Sequence, residues 1–246
     1  MSIIYIGIDD TDVPGSPGTG RVARGLARLL EEKGLAKSLG VSRHQLLVDD
    51  RIKYTSHNSS KGLAIEGKGR IDAILATASE YMKEGYQSGA DPGLCLCEEH
   101  QVDREIIELG YLATRQVVEK ATAISLAARH NIILKEFGGS GDGVIGALAA
   151  VGLRAGGNDG RLVDLRGIHD IKGIITVADI LKETDVDRVV VSASGIRLAD
   201  NEKIDSQDRI RPSLVDGKPV LKVEWKNERW IPIESKAKHK VTGEKG

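Results

Sequence analysis

An apolar segment, a glycine-rich turn and an amphipathic helix follow one another at the start of the chain, and this order constrains the fold most. Residues 3–8 form a short apolar run, which predicts a buried strand. Residues 22–35 repeat apolar side chains at helical spacing and end near Gly34, which predicts a helix with a glycine at its C-terminal end. The turn between them follows the carboxyl end of a strand, where α/β proteins bind ligands.

The glycine-rich turn has the glycine spacing of a P-loop but lacks two of its residues. In that motif, G-x-x-x-x-G-K-[ST], backbone N–H groups surround nucleotide phosphates, and the lysine and hydroxyl complete the contacts. Gly15, Gly18 and Gly20 fit the loop, but Arg21 replaces the lysine and Val22 replaces the hydroxyl residue. We therefore interpret the turn as a phosphate loop of another design, in which the three glycines and Arg21 contact phosphate.

Three carboxylates precede this turn, those of Asp9, Asp10 and Asp12. Carboxylates this close repel one another unless a cation lies between them. Mg²⁺ is commonly held by one or two carboxylates together with phosphate oxygens. The pattern therefore predicts a magnesium site formed by the three acids. The alternative is a solvated turn in which Thr19 caps the following helix.

A second glycine-rich segment, residues 138–143, follows another predicted strand and precedes a helix of small residues. One interpretation is a turn before a packing helix, and the other is an anion or amine site at the helix N-terminus. Asp142 could pair with a cationic amine. Asn58, in the donor-rich loop TSHNSSKG, is a further candidate for contact with phosphate or ribose. The candidate ligand residues of the glycine segment are Gly139, Ser140, Gly141, Asp142 and Gly143.

The pattern of elements indicates an α/β chain of two lobes, residues 1–155 and 156–246, with a β-rich C-terminal part. Aromatic residues make up only 3% of the chain, so the core must consist of Val, Ile, Leu and Ala. We also predict a strand at residues 46–48, and either one helix over residues 105–129 or two that join near Gly110. The charged segment 234–246 is predicted to fray.

Charge and cysteine content exclude several classes of protein. The net charge is −1, whereas a dedicated nucleic-acid binder usually carries a basic excess. The two cysteines, Cys95 and Cys97, are too few for a disulfide framework and lack a usual zinc spacing, so we expect both to be buried. The sequence shows neither a signal peptide nor an apolar run of ~18 residues, which predicts a soluble cytoplasmic protein without a membrane partner.

Four motifs occur in the order found in the archaeal agmatinylcytidine synthetases, which modify the anticodon of an isoleucine tRNA. They are GIDDTD with its glycine loop, YTSHNSSKGLAIE, DPG at residues 91–93, and GDGVIGALAAVG at residues 141–152. The chain resembles that family over residues 1–155. The resemblance is to the catalytic part only, since the sequence shows no OB-fold and no four-cysteine zinc ribbon.

The resemblance implies a kinase-like first domain and a ferredoxin-like second domain. It implies an enzyme that uses ATP to phosphorylate the C2 oxygen of a cytidine, after which the amine agmatine displaces the phosphate. A threonine of the family's glycine loop is itself phosphorylated, and its position corresponds to Thr19. Asp9, Asp10 and Asp12 would be the metal-binding acids. The family has a cysteine and two threonines in the loop where this chain has a single threonine between two glycines.

We therefore expect a phosphotransferase or ligase that depends on ATP and Mg²⁺ and acts on a carbonyl or hydroxyl acceptor. The acceptor would be a small molecule or an RNA, with an amine as an optional second substrate. Two alternatives stay open at this point: a nucleotide-binding module without catalysis, and an RNA-binding module.

Overall fold

A computed structural model describes residues 2–55, 57–67, 69–85 and 87–233 of this mixed α/β protein. These residues divide into two compact units, one that ends at Ala155 and one that begins at Gly156. The charged segment 234–246, including the basic run KAKHK, lies outside the described residues. The kinase-like and ferredoxin-like character of the two lobes stays a prediction.

The first unit is built on a five-stranded sheet in the order β5-β4-β1-β3-β2. All neighbouring pairs in it are antiparallel. The carboxyl end of β1 therefore lies beside the amino ends of β3 and β4, so one edge of the sheet collects residues from distant parts of the chain. The strands are β1 (Ser2–Asp9), β2 (Ala36–Gln45), β3 (Ser59–Gly67), β4 (Gly93–Glu98) and β5 (Ile133–Glu136).

Helices cover both faces of this sheet. Alternate residues of β1 point to opposite faces, so Ile4, Ile6 and Ile8 are fully buried on one side, against α1 and α2. Tyr5 and the two buried cysteines pack on the other side, against α3, α4 and α5. The burial of Cys95 and Cys97 is confirmed. The helices are α1 (Thr19–Glu32), α2 (Ile71–Gly85), α3 (Arg104–Ala113), α4 (Lys120–Arg129) and α5 (Gly143–Gly156).

Helix α5 lies directly on the sheet because glycines leave no side chain between them. A Cβ atom on Gly7 of β1 would lie 1.8 Å from the carbonyl oxygen of Ala147. A Cβ atom on Gly93 of β4 would lie 2.1 Å from the carbonyl carbon of Gly143. This close approach places the N-terminus of α5 at the carboxyl end of β1.

The second unit contains a smaller mixed sheet and one helix around its own apolar core. Its strands follow the order β6-β10-β11-β12-β9-β7, and β8 pairs with β11. Trp225 and Trp230 face each other across β11 and β12 with ring centroids 5.1 Å apart. The elements are β6 (Arg161–Asp164), β7 (Ile174–Thr176), α6 (Val177–Glu183), β8 (Arg188–Val191), β9 (Lys203–Asp205), β10 (Ser213–Val215), β11 (Lys218–Lys226) and β12 (Arg229–Pro232).

Two predictions of local structure are wrong. Residues 46–48 are not a strand, because the backbone N–H of Leu46 donates to Asn58 and that of Leu47 donates to Ala113 at the end of α3. The break between α3 and α4 spans residues 114–119 rather than Gly110. Gly110 lies inside α3, where a Cβ atom would come within 2.8 Å of the backbone of α5, so this glycine serves helix packing.

None of the helices in the described part of the chain has the length and apolar character needed to cross a membrane.

The contact between Gly7 and α5 can be tested by adding one methyl group. We expect Gly7→Ala to lower the free energy of unfolding by at least about 2 kcal/mol, since the strand or the helix must move. Gly85→Ala is the control, because a Cβ atom there meets nothing within 4 Å. That control should change stability by no more than about 1 kcal/mol. Urea titration followed by circular dichroism measures both, and equal losses would contradict the close packing.

Candidate functional site

A cleft of about 360 Å³ opens at the carboxyl end of β1, between the starts of α1 and α5. It brings together predicted site residues from three separate parts of the sequence. The rest of its wall comes from the loop after β2, from the end of α3 and the connection to α4, from Asp91 and from the first turn of α5. The predicted site residues that border it are Asp9, Asp10, Asp12, Thr19, Asn58, Ser140, Asp142 and Gly143.

Asp9 and Asp10 are partly buried carboxylates. The positive charges that act on them do not offset the effect of burial on their pKa values. Asp9 lies against the first turn of α5, where a Cβ atom on Gly146 would be 1.7 Å from its Oδ2 atom. Burial raises the pKa of Asp9 to about 6, against the opposing effect of Lys61. Burial, and then the charges of Asp9 and Asp91, raise the pKa of Asp10 to about 7. A cation bound here would relieve this repulsion.

Asp12 and Thr19 form a hydrogen-bonded pair at the start of α1. The Thr19 hydroxyl donates to Asp12 Oδ1 at 2.6 Å, and the Thr19 backbone N–H donates to the same oxygen at 3.1 Å. The Thr11 N–H donates to Thr19 Oγ1 at 3.3 Å. Thr19 is therefore not the helix cap. Gly18 holds the cap position without a side-chain bond, and Asp12 binds the first free N–H group of the helix.

Ser140 and Asp142 border the cleft on the side of α5. The Ser140 hydroxyl lies within hydrogen-bond distance of the carboxylates of Asp91 and Asp142. The Ser140 and Gly141 N–H groups donate to Asp91 at 3.1 Å and 2.6 Å. Lys120 Nζ donates to the Ser140 carbonyl at 2.7 Å. These two N–H groups are thus occupied by a protein carboxylate.

Most of the predicted phosphate-loop residues do not border the cleft. Gly15, Gly18 and Arg21 are exposed. Asn58 does border it but also has a structural role, since its side-chain N–H donates to the Leu47 carbonyl at 2.6 Å. The glycines of the two loops that lie outside the lining are Gly15, Gly18, Gly20, Gly139 and Gly141.

Two lysines that sequence reasoning missed lie near the acids. Lys61 is only 6% exposed and its Nζ donates to the Ser59 carbonyl at 2.9 Å. Burial lowers the pKa of Lys61 to about 8, and Asp9 acts in the opposite direction. Lys53 is exposed on the cleft wall, where its charge lowers the pKa of Asp10. Lys61 lies within the motif YTSHNSSKGLAIE, but neither lysine is adjacent in sequence to the acids, and each meets them only in the folded chain.

One wall of the cleft is apolar. Its side chains come from the end of β2, the α3–α4 connection and the first turn of α5, so no single stretch of sequence displays it. Apolar side chains beside a few charged groups are typical of ligand pockets, in which the polar groups fix the orientation of the ligand. The residues are Leu46, Ala113, Val117, Val118 and Ile145.

The three predicted metal ligands lie too far apart to share one ion in this structure. In the described part of the chain, the oxygens of Asp9, Asp10 and Asp12 do not all approach within 4.8 Å of one another. One Mg²⁺ ion with ligands at ~2.1 Å needs them closer than that. Asp12 also has one oxygen committed to Thr19.

A different cluster meets that distance away from the cleft, formed by Asp103, Glu105 and His130. His130 Nδ1 lies 3.6 Å from Asp103, and its Nε2 lies 3.2 Å from Glu105. One ion cannot be bound by both nitrogens of a single ring. Contacts of the two ring nitrogens with separate acids, together with the ion pair between Arg129 and Glu105, therefore account for this cluster.

No protein-family model matches the chain. The isoleucine-tRNA 2-agmatinylcytidine synthetase TiaS of Cenarchaeum symbiosum (strain A) is 29% identical to it over 170 residues, which cover 66% of this chain and 36% of that protein. This chain therefore matches only about a third of the length of that relative.

Solved structures of TiaS are similar to about the same share of this chain. A crystal structure of TiaS with an isoleucine tRNA and ATP matches 67% of this chain and 38% of its own, with a TM-score of 0.55 and 22% identity. A complex of TiaS with the same tRNA, AMPCPP and agmatine gives a TM-score of 0.53 at 21% identity. At such identities the structural likeness shows the fold alone. The partial resemblance predicted from the four motifs is thus confirmed over two thirds of the chain.

The electrostatic strain at Asp10 predicts a pH-dependent stability. A raised folded-state pKa favours the protonated acid, so in a chelating buffer this strain is absent below pH 4 and is fully developed above pH 7. We expect Asp10→Asn to increase the free energy of unfolding by about 1–3 kcal/mol at pH 8 and by almost nothing at pH 4.

Asp216→Asn is the matched control. Asp10 and Asp216 have similar positive φ angles, 50° and 51°, which asparagine also tolerates. Asp216 is exposed, so we expect its replacement to have the same small effect at both pH values. Urea titration at each pH measures the difference, and a pH-independent effect of Asp10→Asn would contradict the strain.

Proposed function

We propose that the cleft of the first unit binds ATP with Mg²⁺ and transfers the γ-phosphoryl group to a carbonyl or hydroxyl acceptor. The observation that carries this proposal is the meeting of two helix N-termini with Asp9, Asp10 and the Asp12–Thr19 pair around one cleft. Helix N-termini favour phosphate, and the acids favour a cation beside it. The similarity to TiaS, which has been solved with ATP and with AMPCPP, supports the same ligand.

The residues present fit magnesium with Asp9 and Asp10 as its protein ligands. Both are partly buried, and the pKa of each is raised by burial, as expected of carboxylates short of positive charge. Magnesium, when bound, would offset the charge of the phosphate oxygens. Asp12 is left out of this set because its Oδ1 binds Thr19. Lys53 also borders the cleft and adds a cation there.

Thr19 is the proposed first acceptor of the phosphoryl group. Its oxygen forms a bond to the γ-phosphorus, the bond from that phosphorus to the β–γ bridging oxygen breaks, and ADP leaves. The proton passes to Asp12 Oδ1, which already accepts the Thr19 hydroxyl at 2.6 Å. A carboxylate at that distance is placed as a general base. The Thr11 bonds to Thr19 Oγ1 hold the oxygen in position during the step.

The apolar wall is the proposed place of the final acceptor. Val117 is 36% exposed and borders the same cleft as the acids, so a ring stacked on it would have its polar edge inside the cleft. A nucleobase has this form, with a flat apolar face and a carbonyl at its edge. TiaS has been solved in complexes with an isoleucine tRNA and with agmatine. We propose a base of RNA as the acceptor and an amine as the group that displaces the phosphate.

Binding of ATP should require both a divalent ion and Asp9. We expect unmodified protein to bind ATP at least ~10-fold more weakly in chelator than in Mg²⁺, and Asp9→Asn to lose most of that difference, because one cation ligand is removed. Asp72→Asn, an exposed acid at the start of α2, is the control for the same chemical change. Isothermal titration measures the affinities. Equal ATP affinity in chelator and in Mg²⁺ would count against the site.

The Thr19 step makes a separate prediction. After incubation with Mg²⁺ and ATP, intact-mass spectrometry should show one added phosphoryl group on the unmodified protein. Thr19→Ser keeps the hydroxyl beside Asp12 and should keep part of this product, whereas Thr19→Ala should lose it and still bind ATP.

Measurements of ATP binding, ADP formation and tRNA binding distinguish the alternatives. Bound ATP without ADP formation, even with added tRNA and agmatine, would favour a nucleotide-binding module without catalysis. Tight, salt-resistant tRNA binding without ATP binding would favour an RNA-binding module. Full phosphorylation of the Thr19→Ala variant would exclude Thr19 as the acceptor.

A further inference from the structure

We propose that Asp91 is a positioning residue that fixes the glycine segment before α5 and the Asp10 backbone relative to each other. The proposal deepens the proposed function, since its consequence for ATP rests on that function. Asp91 is the first residue of the DPG motif, whose individual residues carry no role assigned from the sequence. It belongs to the connection between α2 and β4 and is only 7% exposed.

The Asp91 carboxylate holds the glycine segment by both of its oxygens. Oδ1 accepts the Gly141 N–H at 2.6 Å, and Oδ2 accepts the Ser140 N–H at 3.1 Å. The Ser140 hydroxyl also contacts Oδ2. Gly139 and Gly141 have φ angles of +64° and +78°, which turn the chain around the carboxylate. Successive N–H groups in such a turn form a concave anion site, and here Asp91 fills it.

The Asp91 backbone holds the other side of the cleft. Its N–H donates to the Asp10 carbonyl at 3.1 Å, which extends the β1–β4 pairing past Asp9 and Gly93. Its carbonyl oxygen lies against α5, since a Cβ atom on Gly143 would be 2.0 Å from it. One residue thus contacts the end of β1, the glycine segment and the first residue of α5.

Asp91 itself borders the cleft, and its hydrogen bonds give it a positioning role there. Each Asp91 oxygen already accepts a backbone N–H, and the side chain is almost fully buried. The consequence falls on the residues that it orients: Asp10 as a cation ligand, and Ser140 and Asp142 on the cleft wall. A carboxylate suits this position because both of its oxygens accept, whereas an amide offers one acceptor and one donor group.

Amide hydrogen exchange tests the anchor in the unmodified protein, without any ligand. Ser140 is an exposed residue, yet its N–H and that of Gly141 are bonded to Asp91. We expect both amides to exchange at least ~10-fold more slowly than unbonded loop amides. Exchange at the free-loop rate would overturn the proposal, whatever any variant does.

Asp91→Asn tests the consequence for ATP. The amide nitrogen then faces a backbone N–H, so one of the two bonds is lost and the glycine segment is released. We expect its amides to exchange at least ~10-fold faster, KM for ATP in ADP formation to rise at least ~10-fold, and kcat to fall less than ~3-fold. Asp72→Asn, which is exposed, is the matched control and should change none of these.

The split between KM and kcat separates positioning from mere instability. A partly unfolded enzyme loses active molecules, so its kcat falls while its KM stays constant. A lower kcat with a constant KM in Asp91→Asn would overturn the proposal. So would an unchanged KM in a variant whose Ser140 and Gly141 amides exchange faster. If unmodified protein binds no Mg·ATP, the proposed function fails, and amide exchange still decides whether Asp91 anchors the segment.

Discussion

The close packing of α5 on β1 and β4 is the constraint on which the candidate site depends. Gly7 and Gly93 let backbone meet backbone, so the helix cannot shift along the sheet without a clash. Its first turn is thereby fixed beside Asp9, with Gly146 against the carboxylate. A longer side chain at any of these glycines would move the helix N-terminus away from the acids. The geometry of the cleft therefore depends on glycine at these contacts, because a side chain there would push the helix away from the sheet.

The acids of the cleft make the fold electrostatically costly in the absence of a ligand. Asp9 and Asp10 are partly buried near each other, and Lys61 is the buried cation whose charge acts on Asp9. The two carboxylates with raised pKa lie where a cation would stabilise them, whereas Asp12 is satisfied by Thr19. Strain concentrated at a few groups in a cleft is a common sign of a binding site rather than of a structural core.

The sequence predicted the first strand, turn and helix because apolar period and glycine placement are local signals. It also predicted that Asp9, Asp10 and Thr19 lie near one another, since they share one turn. It did not predict strand β2, whose alternation is interrupted by an irregularity between Ser38 and Val41. The second unit also contains strands of three residues, such as β9 and β10, which are too short to display an alternating pattern.

Other parts of the site depend on contacts that no local pattern encodes. The DPG motif was visible, but the partners of Asp91 lie some fifty residues further along the chain, at Ser140 and Gly141. The apolar wall combines three segments, and Lys61 reaches the acids from β3. The same limit explains why an anion or amine site was one interpretation of residues 138–143: glycines at positive φ suit any anion, including a carboxylate of the protein itself.

The order of elements has a consequence for biosynthesis. Among the described residues, helix α5 is the last element of the first unit, and it contributes to the wall of the cleft and to the cover over Asp9. A nascent chain that has emerged only as far as β5 possesses the acids of β1 but has them open to water. Such a chain has no cleft to hold a nucleotide. Competence to bind therefore arises only after α5 has been synthesised and has docked onto the glycine-lined face of the sheet.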